Sequence, residues 1–124
     1  MLTITLPWPN PKLAPNRVRG HWAKVSDAKR SAFEAAYMLT FQAARQHVGE
    51  WYPLSAASVP VTLTFNPPDK RRRDLDGLLS SMKQSLDGVA TALTIDDAKF
   101  SPITLRRGEP VKGGAVILEI GALA

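Results

Sequence analysis

Residues 59–93 read VPVTLTFNPPDKRRRDLDGLLSSMKQSLDGVATAL, and this stretch decides the fold. Val59, Val61, Leu63 and Phe65 alternate with Pro60, Thr62, Thr64 and Asn66. A period of two with β-branched content predicts a strand with one buried face. Pro60 lacks the amide proton a ladder needs, which suggests an edge or a strand start. Asn66-Pro67-Pro68-Asp69 is turn-rich and leads through Lys70-Arg71-Arg72-Arg73 into Asp74-Leu75-Asp76-Gly77. Leu78, Leu79, Met82, Leu86, Val89 and Leu93 then recur at helical spacing, so a helix is predicted to start near Asp76.

Working outward, Leu2-Thr3-Ile4-Thr5-Leu6 alternates as a short strand that Pro7 ends. From Pro7 to Lys24 no helical or strand period holds, and the segment reads as a loop. Ser26 is a candidate N-cap with Asp27 in the first turn, followed by Phe33, Ala36, Tyr37, Thr40, Phe41, Ala44 and Val48 at three- and four-residue steps, with Gly49 as the stop. The stripe Phe33, Tyr37, Phe41 reads as core packing. Downstream, Phe100, Ile103 and Leu105, then Val116, Leu118 and Ile120, read as two strands joined around Gly108 and Gly113-Gly114, a late β-hairpin. The order strand, helix, strand, helix, strand, strand implies an α+β fold: one mixed four-stranded sheet with two main helices packed against it.

The chain has 124 residues, a length that suits one domain spanning 1–124. Apolar residues make up 44% and charged residues 22%, which argues against a disordered or fibrous chain. The 16 Lys+Arg against 11 Asp+Glu leave +5, a balance that favours a polyanionic partner. Without cysteine there are no disulfides, thiol nucleophiles or cysteine zinc sites, and two histidines are too few for a His-based metal site. Neither a membrane span nor a secretion signal is read, so a soluble cytoplasmic protein is expected.

The stretch from Lys70 to Asp76 sets four cations beside two aspartates separated by one leucine. In an extended segment residues i and i+2 point the same way about 6 to 7 Å apart, so Asp74 and Asp76 are expected to converge just before the helix while Leu75 turns inward. A second pair, Asp96-Asp97, follows about twenty residues on. A helix from Gly77 to Ala90 would run roughly 21 Å, and the extended segment from Thr91 to Asp96 covers about 20 Å, enough to bring the second pair back beside the first. Four such carboxylates would repel one another unless a hard divalent cation, Mg²⁺ above all, sat among them. Acid ligands for Mg²⁺ beside cations for phosphates are what metal-dependent phosphodiester hydrolysis needs. The plainer reading, an ordinary helix cap and an ordinary acidic loop, stays open.

Arg73-Asp74-Leu75-Asp76, an amphipathic helix carrying a lysine, Leu86-Asp87-Gly88 and Ile95-Asp96-Asp97 resemble, in that order, the RusA family of Holliday-junction resolvases. Thr5-Leu6-Pro7-Trp8-Pro9 and the closing Lys112-Gly113-Gly114 with its terminal strand are also similar to that family. The resemblance implies a RusA-like α+β homodimer that nicks four-way DNA junctions with Mg²⁺, without an organic cofactor. Asp74, Asp76 and Asp97 match its essential carboxylates, and Asp96 adjoins them as a further metal ligand. The chain departs at Gly77, where many relatives carry asparagine, and at Ser80, where the best-known branch carries lysine; Lys83, as in the phage-type branch, stands one turn later. Lys83 is the candidate to orient water or stabilise developing charge.

DNA contacts are expected from Lys70, Arg71, Arg72 and Arg73, extended by Arg106, Arg107 and Lys112. His21 and Trp22 could touch DNA, the indole by stacking on an exposed base. Two other readings stay open: a Mg²⁺ nuclease for other branched or duplex DNA, and a non-catalytic nucleic-acid-binding module.

Overall fold

The computed structural model describes residues 2–14, 22–46 and 57–121. Its elements are β1 (Leu2–Pro7), α1 (Trp22–Arg45), β2 (Val59–Asn66), α2 (Leu75–Ser81), α3 (Lys83–Leu93), β3 (Phe100–Arg107) and β4 (Ala115–Ile120). Short 3-10 turns occupy Pro11–Leu13 and Asp97–Lys99. The fold is α+β, with three helices and one mixed four-stranded sheet.

The period-two reading holds in three strands. Leu2, Ile4 and Leu6 of β1, Val59, Val61, Leu63 and Phe65 of β2, and Val116, Leu118 and Ile120 of β4 are all buried, and together they form the sheet side of the core. The helix side comes from Met82, Leu86, Val89 and Leu93, the same stripe that the sequence shows.

The late hairpin does not form. Sheet order is β1-β4-β2-β3: β4 lies antiparallel between β1 and β2, and β3 runs parallel to β2 on its far side. The segment after β3 crosses the end of β2, where the Gly108 N–H donates to the Phe65 carbonyl (2.8 Å) and the Val111 N–H to that of Pro67 (2.9 Å). It reverses through Gly113 and Gly114, both at positive φ, before β4 begins. Burial explains the order: alternate β4 side chains are fully enclosed, whereas Ser101, Pro102, Ile103 and Thr104 of β3 are exposed, so β4 takes a central place and β3 an edge.

Two helix boundaries also move. α1 begins at Trp22, so Ser26 lies inside the helix rather than capping it, and Asp27 pairs with Arg30 (2.7 Å). Its core-facing residues are Ala28, Ala36 and Thr40. The aromatic stripe is not core: Phe33 and Tyr37 are half-buried, Phe41 is 44% exposed, and their rings stack on one another at 6.4 and 6.3 Å along the outside. The cause is Gly88, which lets α3 press against α1 at Phe33, Ala36 and Tyr37 and leaves no room there for rings. Val48 and Gly49 lie outside the described residues. The second predicted helix is two, parted at Met82 (φ −95°, ψ 4°) and rejoined by the Leu86 N–H donating to the Met82 carbonyl (2.9 Å). Among the described residues no helix is long and apolar enough to cross a membrane.

Candidate functional site

β2, α2–α3 and β3 make a strand–helix–strand crossover, and the basic loop 67–74 sits where β2 and β3 finish. Asp69 organises that loop. Its Oδ1 accepts from the Arg71 N–H (2.9 Å) and faces the Arg73 guanidinium (2.9 Å), which also donates to the carbonyls of Asp69 (3.3 Å) and Arg71 (3.0 Å). The Arg71 backbone N–H lowers the Asp69 carboxyl most, desolvation opposes it, and the Arg71 and Arg73 guanidinium groups add to the lowering, to about 2. The Arg73 guanidinium lies 5.4 Å over the Trp8 ring, and Trp8 meets Phe65 edge-on at 6.2 Å. From β3, Arg107 donates to the Arg73 carbonyl (2.7 Å). With only 18% of its side chain exposed, Arg73 is engaged within the loop, unlike the exposed cations around it. Lys70, Arg71, Arg72, Arg106, Arg107 and Lys112 are exposed.

The clamp ends at the first acidic pair. Asp74 occupies the N-cap of α2 in extended geometry (φ −86°, ψ 134°) without making a side-chain cap, and its carboxylate is exposed. Asp76 lies within the first turn, not before the helix, and its Oδ1 accepts from the Gly77 N–H (2.9 Å). Leu75 turns toward the core between them, as expected. Lys83 is 67% exposed and lies 3.8 Å from Asp87 one turn on.

The second pair is elsewhere. Asp96 caps the 3-10 turn by accepting from the Ala98 N–H (2.9 Å), and Asp97 is exposed three residues before β3 starts. Parallel pairing sets Phe100 beside Val59 and Arg107 beside Phe65. Asp96 and Asp97 therefore belong to the end where the strands begin, Asp74 and Asp76 to the end where they finish. β3 alone spans about 23 Å between those ends. The expected four-aspartate cluster is not assembled within one protomer, and no three acidic or histidine side chains among the described residues stand close enough to hold a metal ion. The chain does not return because Thr91 to Leu93 stay helical, Thr94 turns left-handed (φ 60°), and the Asp97–Lys99 turn then leads into β3. His21 lies outside the described residues, as does the side chain of Trp22.

Two contributors escaped the sequence reading. Asp69 carried a signal, an acid two and four residues before arginines, the spacing of a turn with an ion pair. Trp8 stood out only within the proline-flanked Thr5–Pro9 stretch, and nothing there tied it to Arg73.

The fold and site define an α+β protein with a crossover helix whose first turn presents exposed carboxylates beside a cationic loop. No family model matches the chain. An uncharacterized protein of Xylella fastidiosa strain Temecula1 is 34% identical over 126 aligned residues, covering 97% of this chain and 76% of that protein, and the chain belongs to the same family.

Proposed function

We propose that this protein is a Mg²⁺-dependent, structure-selective endodeoxyribonuclease of the RusA kind that acts on four-way DNA junctions as a homodimer. The observation that carries the reading is the pairing of Asp74 and Asp76, two exposed carboxylates at the first turn of α2, with a loop of exposed cations that Asp69 and Arg73 hold rigid. Lys70, Arg71 and Arg72 neutralise phosphates flanking the cut, and Arg106 and Lys112 extend that track.

At this end one protomer presents Asp74 and Asp76, with Asp69 engaged by Arg71 and Arg73, and no group of three free acidic donors forms among the described residues. The missing donors have a source in a second copy. β3 is an edge strand with exposed Ser101 to Thr104, and a two-fold axis that runs two β3 strands antiparallel sets the Asp96–Asp97 end of one copy beside the Asp74–Asp76 end of the other. Hard oxygen donors of that number suit Mg²⁺, whose chemistry when bound is to acidify water and neutralise charge on a leaving oxygen. Lys83, exposed at the start of α3, would meet a phosphate near the cut.

The test is incubation of the protein with labelled four-way junction, fork and linear duplex, with and without Mg²⁺, beside Asp76→Asn. Paired nicks restricted to the junction, lost with Mg²⁺ or with the substitution, are expected. Cutting that survives Asp76→Asn removes this site from the reaction; cutting of forks or duplex alone assigns another substrate; binding without cutting makes the protein a binding module.

A further inference from the structure

Beside the first acidic pair lies a cavity of about 250 Å³. Trp8, Phe65, Leu75 and Leu78 line it together with Lys70, Arg71, Arg73, Arg107 and the carboxylate of Asp69. Cavities for drug-sized ligands run about 300–1,000 Å³, so this one suits a single nucleobase and excludes a base pair. The wall opposite the helix is fixed: Asn66 donates to the Glu109 carbonyl (2.9 Å), the Gly108 N–H bonds Phe65, and a Cβ at Gly108 would overlap the Asn66 amide. Four cations outnumber the single acid in this lining, on a chain of net charge +5. Apolar and aromatic side chains interleaved with cations match a flat base attached to a phosphate backbone.

We propose that this cavity receives one unstacked nucleobase of the DNA strand whose phosphates lie on the Lys70–Arg72 loop. The inference rests on the function proposed above and specifies how that site engages the strand it cuts. Leu75 ties the two together, for it lines the slot and stands between Asp74 and Asp76. A base seated there fixes the register of its neighbouring phosphates against the carboxylates. Because a base must leave its stack to enter, distorted DNA is favoured over intact duplex.

The probe is a short single-stranded oligonucleotide, compared with one of equal length carrying abasic sites, titrated into isotope-labelled protein in metal-free buffer. The two share their phosphates and differ only in bases. The base-bearing strand is expected to bind about fivefold or more tightly, the range in which base–aromatic contacts act, and to move the Trp8 indole and Gly108 signals. Leu78→Trp, which fills the slot, is expected to reduce its affinity to the abasic level. Equal affinities of the two strands, or silence at Trp8 and Gly108, overturn the proposal without any variant having to fold. A protein that nicks junctions yet ignores the missing bases keeps its function and loses the slot. One that prefers bases yet cuts no DNA keeps the slot and loses the function.

Discussion

Asp69 shows how much one carboxylate can organise without touching a substrate. It accepts from the Arg71 backbone and pairs with both flanking guanidinium groups, bonds that favour its ionised form and hold it at about 2 against an ordinary 3.8. A depressed folded value means that its support for the loop is complete above about pH 4 and is lost as the pH falls through 2. The Trp8 indole signal, which reports Arg73 through the ring contact, is expected to titrate with a midpoint near 2 and to lose that step in Asp69→Asn; a midpoint near 4 would detach Asp69 from the clamp. Thr40 is the opposite case, a fully buried residue whose Oγ1 has no hydrogen-bond partner. An unpaired buried hydroxyl costs about 1–3 kcal/mol, and valine has the same shape without it, so Thr40→Val is expected to stabilise the protein by about 1 kcal/mol in urea unfolding. A loss of stability would mean that the hydroxyl has a partner after all.

At the scale of elements, Gly88 sets the distance between α1 and α3. In an exposed helix interior, Gly→Ala gains roughly 1 kcal/mol of propensity. Here the added methyl would press on the Phe33 carbonyl oxygen and come within 3.2 Å of the Ala36 Cβ, and overpacking costs about 1–3 kcal/mol. Overlap with backbone cannot be relieved by a rotamer change, so Gly88→Ala is expected to destabilise by about 1 kcal/mol, read as a lowered urea midpoint at unchanged slope; a rise would show that the helices can part cheaply. The same contact explains what periodicity could tell. Alternation in β1, β2 and β4 named their buried faces correctly, because period fixes which residues share a face. It does not name the strand's neighbours, so β3 and β4 read as a hairpin when the 108–114 connection in fact steps over the end of β2. For α1, spacing gave one set that mixed Phe33, Tyr37 and Phe41 with Ala36 and Thr40, and the aromatic members read as core. A glycine on the facing helix reversed the choice in favour of Ala36 and Thr40, a tertiary effect that no single segment encodes.

For the whole molecule, the acidic residues were legible and their meeting place was not. Chain length alone allowed Asp97 to come back to Asp76, but α3 continues to Leu93 and the left-handed Thr94 sends the chain through the Asp97–Lys99 turn into β3. A parallel crossover puts the start of its helix and the start of its second strand at opposite ends, so one protomer divides the carboxylates that the proposed reaction needs together. In the proposed dimer, two copies related by a two-fold axis through β3 would repair that division, and subunit mixing distinguishes the arrangements. Asp74→Asn and Asp97→Asn homodimers are each expected to be inactive on a four-way junction. In a mixed dimer with shared sites, both substitutions fall in one site and the other is intact. Random mixing then restores roughly a quarter of the wild-type nicking rate, as single rather than paired nicks, since half the dimers are mixed and each has one working site. If every site lay within one chain, each site of the mixed dimer would carry one substitution, and nicking would stay at the level of the parent variants; that result would return Asp97 to its own protomer and require α3 to unwind.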